Sequence, residues 1–169
     1  MDKYLNNEFL STLSSIENHI IDSVIVITDK DSIGRTGDLA TTITRKVFLL
    51  SRTELGMKES NIAVTEGVAL KYYIDILKKD TTLRIATPTS GEAKTWWLRT
   101  PETWSFNLVY AVAYNGGIGT ATIGGTEVAA FGNYYYGVRP AFCLASDTAI
   151  YEGEVNGELV YITSFGEAL

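Results

Sequence analysis

One cysteine, one histidine and three prolines are all that this 169-residue chain holds of those residue types. A lone Cys143 excludes an internal disulfide, and with a lone His19 it excludes a Cys/His zinc cluster within one chain. No apolar run approaches the ~20 residues that span a bilayer. Met1 to Asn7 shows no basic stretch leading into an apolar one, so we expect no signal peptide in this chain. After residue 99 bases are almost missing: Arg139 stands alone against seven acids. Residues 1–99 balance 13 acids with 13 bases, so the net charge of −6 belongs to the last 70 residues. Nucleic acids and anionic membranes require clustered Lys and Arg. The C-terminal part therefore offers neither of them a surface.

What remains is a globular composition, 46% hydrophobic and 20% charged. A chain of this length fits one domain and buries roughly 70% of its unfolded surface. Behind Asn7 as a cap, Phe9, Leu10, Leu13, Ile16 and Ile20 follow helical spacing, which predicts a helix from about 7 to 19. Ser23 to Thr28 reads as a strand, 29–39 as a surface loop, and 41–50 as a strand buried at its end. Ser51-Arg52-Thr53-Glu54 matches a capping box. Gly67 to Lys79 reads as a second helix. Beyond it come only short strands, at 95–99, 108–114, 118–123, 128–131, 138–143 and 159–163. Gly116-Gly117, Gly124-Gly125 and Asn156-Gly157 mark turns between them. Helices first and short strands later predict an α+β class, with two helices packed on short antiparallel strands and long loops.

The chain is organised around residues 95–144. This stretch opens with Thr95-Trp96-Trp97-Leu98-Arg99-Thr100-Pro101 and closes with Gly137-Val138-Arg139-Pro140-Ala141-Phe142-Cys143-Leu144. Between these bookends, Glu127 is the only acid or base from Thr103 to Val138. The same segment holds eight of the nineteen aromatic residues and seven of the fifteen glycines. Tyr gives large contact area at low entropic cost, while Gly, Ser and Asn adapt shape and hydrogen bonding. Trp104, Phe106, Tyr110, Tyr114, Asn115, Asn133, Tyr134, Tyr135 and Tyr136 are thus candidate ligand contacts. The alternative for residues such as Tyr110 and Phe131 is a place in a β core. Three tyrosines in succession, 134–136, cannot all point inward from a strand. Trp96, Trp97, Arg99, Arg139 and Pro140 read as a structural frame. Both guanidinium groups are expected to be satisfied by backbone carbonyls or acids, with anion binding as the alternative.

The bookends, with Val47-Phe48-Leu49-Leu50-Ser51 upstream, resemble a domain of unassigned function from bacterial surface and phage tail proteins. That domain is similar to the C-type-lectin-like fold of formylglycine-generating enzymes and of the variable proteins of diversity-generating retroelements. The resemblance spans about Arg45 to Leu144. It implies a C-type-lectin-like ligand-binding domain over 41–169, with 1–40 either part of it or an attachment region. It also implies location on a virion tail or bacterial cell surface, and a glycan or protein receptor on a bacterial cell as partner. A homo-oligomer, trimeric if the chain sits in a phage tail, is compatible with it.

Departures from those relatives bear on activity. Formylglycine-generating enzymes use a cysteine pair, whereas Cys143 lies in the apolar run Ala141-Phe142-Cys143-Leu144 and reads as a buried small hydrophobe. Glu-Pro-Asn, Gln-Pro-Asp and Trp-Asn-Asp, the calcium-lectin signatures, are missing. His19 has no Ser or Cys motif near it and reads as a solvent-facing helix residue. Gly34-Arg35-Thr36-Gly37 lacks the Gly-Lys-Ser/Thr ending of a P-loop. We therefore expect no catalytic residue, no metal and no cofactor. The expected function is non-enzymatic receptor binding or adhesion. The alternatives are a cell-wall glycan hydrolase using C-terminal carboxylates, or a structural assembly domain.

Overall fold

The computed structural model describes residues 1–30, 36–57, 65–77, 82–88, 91–101, 109–118, 136–148, 150–155 and 158–163. Its strands are β1 (Ile20–Ile21), β2 (Ser23–Lys30), β3 (Thr36–Arg45), β4 (Val47–Leu49), β5 (Trp96–Pro101), β6 (Val109–Val112), β7 (Pro140–Leu144), β8 (Ile150–Val155) and β9 (Glu158–Thr163). They form small sheets, mostly antiparallel, in an α+β arrangement. The chain divides into two compact units. One gathers Met1–Ser23, Arg45–Phe48 and Phe142–Leu169, and the other Val24–Thr44 and Leu49–Ala141.

In the first unit, a π-helical stretch (Tyr4–Phe9) runs into the short α1 (Leu10–Thr12), and a 3-10 turn (Glu17–His19) follows. The continuous helix expected over 7–19 is not formed. Asn7 lies inside the first stretch rather than at a cap. Ser11 and Thr12 donate their hydroxyls to the carbonyls of Glu8 and Phe9 at 2.7 and 2.6 Å. Such local bonds compete with the helix ladder, and the backbone leaves helical geometry at Leu13. Leu5, Leu10, Ile16, Ile20 and Val47 are nonetheless buried. Asn6 locks onto Val47 like a rung, donating to its carbonyl at 2.8 Å and accepting from its N–H at 3.1 Å. His19 is half-buried, not solvent-facing.

Strand β7 lies between β1 and β4. Ile20 stands opposite Leu144, and Ile21 opposite Cys143. Directly paired residues share one face of a sheet. Ile20 is buried, while Ile21 is 44% exposed and Cys143 is exposed with it. The alternation thus puts the cysteine on the outer face, correcting the expectation of a buried thiol. Strands β8 and β9 pair from Ile150↔Thr163 to Val155↔Glu158. The expected turn at Asn156-Gly157 lies outside the described residues.

In the second unit β2 pairs with β3. Their ladder reaches Lys30 and resumes at Thr36, so much of the loop expected over 29–39 is strand. Pairing satisfies the backbone there and outweighs the loop-forming aspartates and glycines. The second helix, α2 (Lys71–Leu77), is shorter than the span expected from Gly67. Gly67 has φ +91°, a left-handed value that no helix admits, and Leu70 donates its N–H to Glu54 instead. Tyr73 is buried, whereas Val68, Leu70, Tyr72 and Ile74 are exposed.

The core of this unit surrounds β5. Trp96, Leu98 and Thr100 are fully buried, alternating with half-buried Trp97 and Arg99. Period-two alternation separates the adjacent tryptophans onto opposite faces. Trp96 pairs with Val112 and Trp97 with Ala111, and the ladder then slips until Pro101 meets Val109. Four residues of β5 therefore span two of β6. The slip leaves Leu98 to Thr100 free to bond elsewhere, and the Arg99 N–H donates to Leu50 O at 3.0 Å.

Candidate ligand-binding site

At the slip in β5 the chain builds a buried polar knot. Ser51 and Glu54 form the capping box reciprocally: the Glu54 N–H donates to Ser51 Oγ at 3.1 Å, and the Ser51 N–H to Glu54 Oε2 at 2.9 Å. The Glu54 carboxylate then receives both Nη1 and Nη2 of Arg99, each at 2.7 Å. Arg99 also donates to the carbonyls of Leu49 at 2.7 Å and Glu66 at 3.2 Å. A planar guanidinium fits such a fork, and a lysine would not. Glu66, 1% exposed, accepts from the Thr28 N–H at 2.8 Å and the Thr100 hydroxyl at 2.6 Å. Thr100 Oγ1 accepts in turn from the Arg52 N–H at 2.9 Å. Each carboxylate accepts on both oxygens from donors that tie distant segments to one another. This is an architectural role for both acids.

The bookends meet beside this knot. Gly137 forms a parallel bridge with Trp96. The Trp97 N–H donates to Gly137 O at 3.1 Å, and the Gly137 N–H to Thr95 O at 2.7 Å. Tyr136 packs its ring on Trp97 with centroids 4.6 Å apart. Strand β5 thus carries β6 and the returning chain together. Pro140, half-buried, opens β7.

Of the candidate contacts, Tyr114 is 64% exposed and stands beside exposed Asn115, whose side chain accepts from the Gly117 N–H at 3.1 Å. Tyr136 is half-buried on Trp97. Tyr110 departs from the expected surface: it is 6% exposed and lies under the Arg52 guanidinium, 4.0 Å from its ring centroid. Strand β6 turns it inward, so it belongs to the core. Trp104, Phe106, Asn133, Tyr134 and Tyr135 lie outside the described residues.

Arg139 also departs from expectation. Its Nη1 is buried with no hydrogen-bond partner among the described residues. The guanidinium instead lies over Trp96, 5.3 Å from the ring. Arg84, 6% exposed, donates to Gly116 O at 3.4 Å, its Nε has no partner among the described residues, and its own carbonyl accepts from Trp96 Nε1 at 2.9 Å. Burial pushes the Arg84 pKa down. It pushes the Tyr73 hydroxyl up, against the opposing fields of Arg139 and Arg84. A cavity of about 440 Å³ opens beside Arg139, bounded by Ile85, Pro88, Lys94 and Val138. Among the described residues no three acids, histidines or cysteines converge where a metal ion could sit. No described helix is long and apolar enough to cross a membrane.

The sequence signals for this site were uneven. Ser51-x-x-Glu54 announced the capping box, but nothing marked Glu66 as the buried acid joining Thr28 to Thr100. The arginines stood out as the two bases in the bookends, yet spacing alone did not separate the saturated Arg99 from the unpartnered Arg139.

Residues 1–146 match the family model described as Domain of unknown function (DUF6273), and the chain belongs to that family. No curated protein and no solved structure matches the chain.

Proposed function

We propose that this chain is a non-enzymatic ligand-binding domain with a C-type-lectin-like fold, serving receptor binding or adhesion on a phage tail or bacterial surface. Its contact surface is the segment between residues 104 and 136. The observation that carries this reading is the closure at Gly137. Residues 119–135 depart after Ile118, which bridges to Val112, and return at Gly137, which bridges to Trp96. Trp96 and Val112 are themselves a pair, so both ends of the segment are pinned to one rung of β5 and β6. Pinning the ends of a segment on a scaffold lowers the entropy lost when it binds. The pinned segment holds Phe131, Asn133, Tyr134, Tyr135 and four glycines, residue types of a contact surface. Exposed Tyr114 and Asn115 precede it in the turn between Val112 and Ile118.

The partner class is a glycan or protein receptor on bacterial cells. Aromatic faces stack on sugar rings or fill protein pockets, and Trp and Tyr concentrate interface energy. Binding of the purified chain to intact bacterial cells, with and without glycan competitors, tests the reading. We expect saturable binding that changes little between low and physiological salt, because the segment is nearly uncharged. A chelator should leave it intact. Binding that collapses in salt, or cells that retain no protein, would contradict the reading.

A further inference from the structure

We infer that the cavity beside Arg139 binds the carboxylate of a small ligand, its described lining lying at 85–88, 94, 96 and 137–139. Three observations lead there. First, the cavity, at about 440 Å³, falls within the range of small-molecule sites, about 300–1,000 Å³. Second, of the described residues that border it two are cations, Lys94 and Arg139, and one of these has a carboxylate partner among the described residues. Lys94 pairs with Glu92 at 2.8 Å. Arg139 has no carboxylate partner among the described residues, although the chain as a whole is acidic. Third, Arg139 Nη1 is a buried donor without an acceptor. Native proteins pair nearly all such groups, and Arg139 itself lines the cavity.

The ligand chemistry follows from charge and shape. One uncompensated guanidinium balances one negative charge, and its fork matches a carboxylate. Ile85, Pro88 and Val138 supply an apolar wall for the ligand body. The guanidinium lies on the buried Trp96 ring, which holds it in place. Nothing comparable surrounds Arg99, whose fork is filled by Glu54. An acidic sugar and the free C-terminus of a peptide present the same carboxylate, so both are probes of the site.

The test is a nitrogen-15 NMR titration of the whole chain with D-glucuronate, with N-acetylalanine, with D-glucose as the neutral control and with inorganic phosphate. At least one carboxylate should shift the amides of Ala86, Lys94 and Arg139 saturably, and glucose should not. Arg139→Met keeps the stem over Trp96 and removes the charge. It should weaken carboxylate binding by roughly tenfold or more, and Arg139→Lys should recover part of the loss. Loss of neither carboxylate's binding in Arg139→Met, or no saturable shift with either, overturns the inference. Equal binding of phosphate overturns the carboxylate assignment. Should Arg139→Met fail to fold, the map on the parent chain decides, and shifts lying away from residues 85–88 and 137–139 overturn the site. Failure here and failure of the cell-binding reading are distinguishable, because this test reads Arg139 and small carboxylates, whereas that one reads retention on cells.

Discussion

Thr100 shows how much one small side chain can hold. Its hydroxyl donates to the buried Glu66 carboxylate and accepts from the Arg52 N–H, and the residue is fully buried. Thr100→Val keeps the shape and orphans both groups. Each buried unsatisfied group costs about 1–3 kcal/mol, so urea denaturation should show a loss in that range or above it. An unchanged midpoint would contradict the network. The two bookend arginines should behave differently. Arg99→Ala strands Glu54 in a pair whose side chains are only 9% and 13% exposed. We expect a loss of about 3–5 kcal/mol. Arg139→Ala loses a contact over Trp96 worth about 0.5–2 kcal/mol. Equal losses in the two variants would contradict the distinction between a saturated and an unpartnered guanidinium. In the sequence both residues sit in the same kind of motif. Their difference arises from which loop folds over them, and Glu54 and Glu66 reach Arg99 from 45 and 33 residues away.

At the scale of elements, strand β5 was the most legible part, while the strands expected at 118–123 and 128–131 fall mainly outside the described residues. Alternation in Trp96-Trp97-Leu98-Arg99-Thr100 read correctly because period two needs only local information. The helices were less so. Their boundaries are set by side-chain bonds and backbone signs that apolar spacing does not contain. Ser11 and Thr12 end one early, and Gly67 delays the other. Gly67 also supports the knot directly. A Cβ there would lie 2.7 Å from Glu54 Oε1, at φ +91°. Gly67→Ala should therefore displace the carboxylate from Arg99 as well as strain the backbone. Gly91 has φ +85° with nothing near its Cβ position, so Gly91→Ala should cost only the left-handed strain of about 1–2 kcal/mol. Thermal denaturation of the two variants checks this: a larger drop for Gly67→Ala is expected, and equal drops would contradict the packing argument. Gly137→Ala meets Thr95 O at 3.5 Å and Trp96 Cβ at 3.7 Å, ordinary contacts. It should fold, with the bookends still joined.

At the scale of the molecule, the α+β class followed from the order of helical spacing and short strands, and the family membership is in keeping with the bookend motifs. What spacing could not reveal was the pairing of distant segments: Gly137 with Trp96, or Asn6 with Val47. Such contacts depend on chain return, for which a single sequence carries no local signal. The same limit applies to Tyr110, whose burial under Arg52 is a tertiary event. The central claim is that β5, β6 and Gly137 form a frame and that ligand contact comes from the other residues of 104–136, outside buried β6. The most direct measurement compares the parent chain with the double variant Tyr134→Ala, Tyr135→Ala for retention on intact bacterial cells, with melting temperatures recorded alongside. The account predicts binding weakened by about tenfold or more, since truncated aromatic anchors typically cost about 2 kcal/mol or more, at a melting temperature close to the parent's. Undiminished binding by a folded double variant would contradict it.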